Sequence, residues 1–78
     1  MNMELTDFVK NFASQFEETD IKEFSPKIQF KNILEWSSLI ALSVIAMVDE
    51  EYGIKVKGED IKSSTTIEDL YNIIKSKM

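Results

Sequence analysis

Apolar residues recur at helical spacing in three separate stretches of this chain, and a chain patterned that way buries its stripes by packing helices against one another. In the first stretch, residues 4–18, Leu5, Phe8, Val9, Phe12 and Phe16 fall three or four apart, while Lys10, Asn11, Glu17 and Glu18 fall elsewhere. In the second, residues 37–52, Leu39, Leu42, Ile45, Val48 or Met47, and Tyr52 form a stripe closed by Gly53, a residue suited to stopping a helix. In the third, residues 66–76, Ile67, Leu70, Ile73 and Ile74 make the stripe. Its start is marked twice, by Thr65 three residues before Glu68 and by Thr66 three before Asp69, and Lys75 and Lys77 suit the dipole at its end.

The segments between the stripes are less regular. Residues 19–36 hold the single proline, Pro26, in a Ser-Pro turn signal, and their apolar residues Ile21, Phe24, Ile28, Phe30, Ile33 and Leu34 keep no sustained period. Loops this long are uncommon in small domains, and so many apolar anchors predict one that is ordered and packed. Ile54-Lys55-Val56-Lys57 alternates, but four residues without a partner strand predict an extended connector. Residues 59–62 predict one short helical turn, stopped by Ser63-Ser64. The expected fold is all-α: a four-helix bundle with three longer helices (4–18, 37–52, 66–76), one short one (59–62) and a long loop after the first. Residues 1–78 form one domain in this reading, with no internal repeat.

Composition narrows what such a bundle can do. With 78 residues, no cysteine and no histidine, the chain lacks disulfides, thiolate and imidazole nucleophiles, ordinary zinc ligands and a Ser-His-Asp arrangement. Little room remains for a preorganised pocket, so an independent enzyme is not expected and any reactive group has to be borrowed. A net charge of −5 repels nucleic acid and favours basic protein surfaces as partners. The longest apolar run, 39–48, is interrupted by Ser43 and too short to span a membrane, and no basic-then-apolar leader opens the chain. A soluble, cytoplasmic monomer is expected, without membrane insertion and without a metal site.

The second stripe begins at Ser37-Ser38-Leu39, directly after the long loop. Ser37 suits an N-cap, with Ser38 then merely the first exposed helical residue. A serine at a loop-to-helix junction also suits a phosphodiester, whose charge the free N–H groups and the dipole stabilise. Both hold together if Ser37 caps and Ser38 is modified.

From residue 30 to 74 the chain resembles acyl carrier proteins without a gap, and Leu5 to Phe16 fits that family's first helix. The family's Asp-Ser-Leu attachment motif falls on Ser37-Ser38-Leu39. Val48-Asp49-Glu50-Glu51-Tyr52-Gly53-Ile54 is similar to the acidic end of its second helix, Val56, Glu59 and Asp60 match the next connector, and Thr65-Thr66-Ile67 matches the start of the last helix. The resemblance implies that a phosphopantetheinyl transferase, using coenzyme A and magnesium, attaches 4'-phosphopantetheine to Ser38. The arm's thiol then holds acyl groups for acyl-transferring and chain-elongating or modifying enzymes of fatty-acid, polyketide or related biosynthesis. The alternative is a carrier fold kept as an unmodified interaction or regulatory module.

Two departures from the family pattern stand out. Ser37 replaces the usual aspartate, which keeps a capping group, removes a charge and leaves Ser37 as a second, less favoured attachment site. Ile40 and Ser43 occupy positions that are often acidic in fatty-acid carriers. With Leu39, Ala46 and Met47 they predict a comparatively apolar partner face, with charge left at Asp49, Glu50, Glu59 and Asp60. The competing reading puts Ile40, Val44 and Met47 in the core and the acids on an ordinary solvated face. Trp36 is expected to anchor the loop, and exposure to a partner is its alternative role.

Overall fold

The computed structural model describes residues 3–78 and consists of helices and loops, with no strand among the described residues. The helices are α1 (Leu5–Ala13), α2 (Ser38–Tyr52), α3 (Gly58–Ser63) and α4 (Ile67–Ser76). Three are long and one is short, as the sequence predicts. Packing α1 against both α2 and α4, and α3 against α4, encloses one core. Phe8, Phe12, Phe30, Val44, Val48, Ile67, Leu70 and Ile74 are completely buried there. Each removes a large apolar surface from water, roughly 1.5–3 kcal/mol for a fully buried Leu-, Ile-, Val- or Phe-sized side chain.

The first helix is shorter than its apolar pattern. After Ala13 the bonds tighten from four-residue to three-residue spacing, Gln15 N–H to Phe12 O and Phe16 N–H to Ala13 O. The Ser14 hydroxyl and the Gln15 amide both donate to the Asn11 carbonyl, at 2.7 and 3.1 Å, supplying partners that a continuing helix would otherwise provide. Phe16 is buried all the same, because the turn carries it onto Phe12 and Phe24. Helical spacing of apolar residues therefore outlasts the helix by a full turn.

A carboxylate from the far end of the loop secures this turn. Glu35 accepts hydrogen bonds from the N–H groups of Glu17, Glu18 and Thr19 and from the Thr19 hydroxyl, at 2.7–3.0 Å. Desolvation alone raises the Glu35 carboxyl, but these bonds outweigh it and hold the group below the ordinary glutamate value. The loop is ordered, with short 3₁₀ turns at Ile21–Glu23 and Phe30–Asn32. Phe24 and Phe30 are its buried anchors; Ile21 and Leu34, which share its apolar pattern, are exposed. The Pro26 carbonyl accepts the Glu68 N–H at 2.9 Å, and Lys27 pairs with the Glu68 carboxylate, fastening the loop to the start of α4.

The remaining boundaries follow local chemistry. The Thr66 hydroxyl accepts from the Asp69 N–H at 3.1 Å while Asp69 accepts from the Thr66 N–H at 3.0 Å, the reciprocal pair that opens α4. Asp60 accepts the Lys57 N–H at 2.9 Å and opens α3, which extends one residue beyond the expected 59–62 at each end. Gly53 closes α2 at φ 67°, its N–H donating to the Asp49 carbonyl at 2.9 Å. The connector 54–57 is neither helix nor strand, ends on the extended Lys57 and buries Val56.

Candidate functional site

Two serines with different tasks open α2. Ser37 has an extended backbone (φ −156°, ψ 173°), and its Oγ accepts the Ile40 N–H at 3.3 Å. Its carbonyl accepts the Ala41 N–H at 3.0 Å, the first helical bond. Ser38 is the first helical residue, is exposed, and its hydroxyl makes no hydrogen bond among the described residues. The N–H groups of Ser38 and Leu39 open the helix, where no carbonyl lies one turn back to accept them. An uncommitted hydroxyl thus stands at the positive end of a 15-residue helix.

Trp36 fixes the approach to this helix. Its ring lies edge-on to Phe30 at 4.9 Å and parallel to Phe12 at 6.3 Å, so the anchoring role holds, and its remaining surface faces a groove. That groove, about 480 Å³, runs between α2 and α3 and starts at the two serines. Ala41, Leu42, Ile45 and Ile61 line it, together with Lys31 and Lys62.

The predicted partner face divides in two. Leu39 (76% exposed), Ser43, Ala46 and Glu50 lie on the outward side of α2, and Ile40 is half-buried against the core. Met47 is 5% exposed and belongs to the core, which corrects its assignment to the partner face. It shares the inward side of the helix with Val44, one turn before it, and the adjoining Val48, so almost none of it reaches solvent. The correction runs the other way for Leu42, expected in the buried stripe but 62% exposed beside Leu39.

The acids also differ in availability. Glu50 and Glu59 are exposed and appear in no ion pair among the described residues, whereas Asp49 pairs with Lys55 at 2.8 Å. Asp60 caps α3 and pairs with Lys77 at 3.2 Å. The Lys57 N–H bond, against some desolvation and with help from Lys77, holds its carboxyl below the usual aspartate value. Asp60 thus has a structural task that the sequence did not reveal. Among the described residues no group of three or more acidic side chains is placed to hold a metal ion.

A family model described as the phosphopantetheine attachment site matches residues 7–74, nearly the whole chain. This chain belongs to the acyl carrier protein family. It is 29% identical over 77 residues to an acyl carrier protein of Picosynechococcus, covering 99% of this chain and 95% of that one. It is 27% identical over 59 residues to polyketide-8 synthase acyl carrier protein 2 of Streptomyces avermitilis, covering 76% of this chain and 68% of the relative. No solved structure matches it. As a member of the family, this chain is a carrier rather than an enzyme, and its cofactor is a covalently attached 4'-phosphopantetheine. The start of α2 fits such a group, with an exposed hydroxyl, unpaired helix-opening N–H groups, and a groove leading away from it.

Proposed function

We propose that Ser38 is the attachment residue and that the chain carries acyl groups as thioesters on its phosphopantetheine arm, delivering them to biosynthetic enzymes. The observation that carries this reading is the division of labour at 37–38, where Ser37 Oγ is engaged as the cap and Ser38 Oγ is exposed and uncommitted. When attached, the arm supplies the thiol that a chain without cysteine lacks. The helix contributes position: its N–H groups and dipole favour the phosphodiester's charge, and Ser37 holds the first turn in register.

The outward side of α2, with Leu39, Leu42, Ser43, Ala46 and Glu50, is the surface offered to the transferase and the acyl-handling enzymes, and Glu59 adds charge from α3. Ile40 and Ser43 at positions where fatty-acid carriers often have acids, flanked by the exposed Leu39 and Leu42, favour partners that dock by apolar contact, with electrostatic steering reduced. The setting we propose is fatty-acid, polyketide or related biosynthesis; the Streptomyces relative's name supports polyketide assembly, and the Picosynechococcus relative's name gives no pathway.

Incubation of the apo protein with coenzyme A, magnesium and a broad-range phosphopantetheinyl transferase, followed by intact-mass measurement, tests the site. The expected outcome is a gain of one phosphopantetheinyl group, abolished in Ser38→Ala and retained in Ser37→Ala. Loss in Ser37→Ala with retention in Ser38→Ala would move the site to Ser37. No gain with several transferases, including those of the native host, would favour an unmodified interaction module.

A further inference from the structure

The long loop carries a groove of its own, about 800 Å³, that shares no lining residue with the groove beside Ser38 and takes none from α2. Ile28, Ile33 and Leu34 supply its apolar surface, Glu18, Glu23 and Glu35 supply charge, and no lysine lines it. Ile28 and Ile33 rest partly against the core, whereas Leu34 is fully exposed, a leucine for which folding provides no cover. The shape of the groove comes from the chain itself. Glu35 accepts the N–H groups of Glu18 and Thr19 at 3.0 and 2.9 Å, which ties three of the lining residues together, and Asn32 Nδ2 donates to Gln29 Oε1 at 2.9 Å. Little ordering is therefore left for a partner to impose.

Charge identifies what would cover Leu34. Residues 17–23 hold Glu17, Glu18, Asp20 and Glu23 against one cation, Lys22. Glu18 and Glu23 join none of the ion pairs among the described residues, which are Lys27–Glu68, Lys55–Asp49 and Lys77–Asp60. By contrast, α2 carries no acid before Asp49, so the exposed leucines near Ser38 and the exposed leucine of the loop stand in opposite electrostatic settings.

We propose that this groove is a second docking surface, one that takes a segment of a partner enzyme bearing apolar side chains flanked by arginine or lysine. The apolar side chains cover Leu34 and reach Ile28 and Ile33, while the cations meet Glu18 and Glu23. A purely apolar segment would desolvate those carboxylates without a counter-ion, and an acidic segment would be repelled. So would a second copy of this chain, whose net charge is −5. Docking here uses neither Ser38 nor a group attached to it, so the loop gives a partner a hold that does not depend on the cargo.

The test uses the full chain in its apo form, isotopically labelled, and a synthetic peptide with leucine and arginine at helical spacing as the probe. Amide spectra are recorded through the titration, and a peptide carrying glutamine for arginine is the comparison. Expected are shifts at Glu18, Glu23, Ile28, Ile33 and Leu34, weakened by high salt and with the glutamine peptide. Glu18→Gln combined with Glu23→Gln is expected to raise the dissociation constant about threefold to tenfold, the effect of removing two exposed ion pairs. Leu34→Ser is expected to raise it about tenfold, whereas Glu50→Gln on α2 leaves it unchanged. All four of these side chains are exposed, and well-dispersed spectra establish that each variant is folded. Absence of shifts in the loop, with or without shifts at Leu39, Leu42 and Glu50, would overturn the proposal. A dissociation constant unchanged in the double variant or in Leu34→Ser would do the same. Neither result bears on the attachment serine, which intact mass tests separately.

Discussion

α4 and α2 pack around the same core, and they differ in how much apolar surface they bring to it. α4 buries Ile67, Leu70 and Ile74 and turns Asp69, Asn72 and Lys75 outward, so nearly all of its apolar surface is used. α2 buries Val44, Met47 and Val48 and still leaves Leu39 and Leu42 largely in water. A helix meets a core along one stripe, so apolar residues beyond that stripe gain nothing from folding. Clustered at the helix end that also presents Ser38, the surplus adds little to stability and is the surface we propose for intermolecular contact.

Substitutions along α2 put that division at risk most directly. Met47→Ala removes a buried side chain and is expected to cost about 2–5 kcal/mol of stability, the usual range for such truncations. Leu42→Ala, on the opposite side of the same helix, is expected to stay within about 0.5 kcal/mol of the parent. It should slow phosphopantetheine loading or acyl transfer by a partner instead. Urea midpoints at unchanged m-values, alongside loading rates, separate the two effects. Equal stability losses from both substitutions would remove the distinction between the faces.

The end of α2 offers a smaller test of the contrast with α4. Both helices stop near polar residues, but only α2 stops on a left-handed residue, Gly53 at φ 67°. A Cβ there would meet nothing within 4 Å, so Gly53→Ala carries the backbone penalty alone, about 1 kcal/mol. Thermal or urea denaturation should show that loss. A neutral result would mean that the helix end relaxes to another conformation.

The same contrast explains what the sequence disclosed. α4 was legible because stripe and cap signals agreed: Thr66 and Asp69 mark the start, and Ile67, Leu70 and Ile74 mark the buried side. The existence of α2 was legible too, but its rotation was not. Leucine, isoleucine, valine and methionine occur on nearly all its sides, and hydrophobicity alone does not say which the core will take. Leu42 and Met47 therefore exchanged roles between pattern and structure. Ser37 as the cap and Ser38 as the first exposed helical residue were legible from the loop-to-helix junction, and the Ile40 N–H bond is the contact that makes Ser37 the cap. The lysines of the groove carried no local signal, because Lys31 and Lys62 are 31 residues apart and meet only through the fold.

Glu35 is another feature that only the fold brings together, and acid titration reaches it. Its carboxylate gathers N–H groups 16 to 18 residues earlier, a partnership with no periodicity to betray it. Because the folded chain holds this carboxyl below its ordinary value, its contribution is present above the unfolded-state pKa of about 4.3 and fades as pH falls through the lower folded value. Glu35→Gln retains a carbonyl acceptor without the charge, so its melting temperature should lie below the parent's at neutral pH. The gap should close as the parent's Glu35 is protonated. Asp60 and Asp69 are also held below the ordinary aspartate value, and they make both proteins acid-sensitive. The difference between the two curves isolates Glu35 from them. Parallel curves down to about pH 3 would show that geometry, rather than the charge on Glu35, secures the turn after α1.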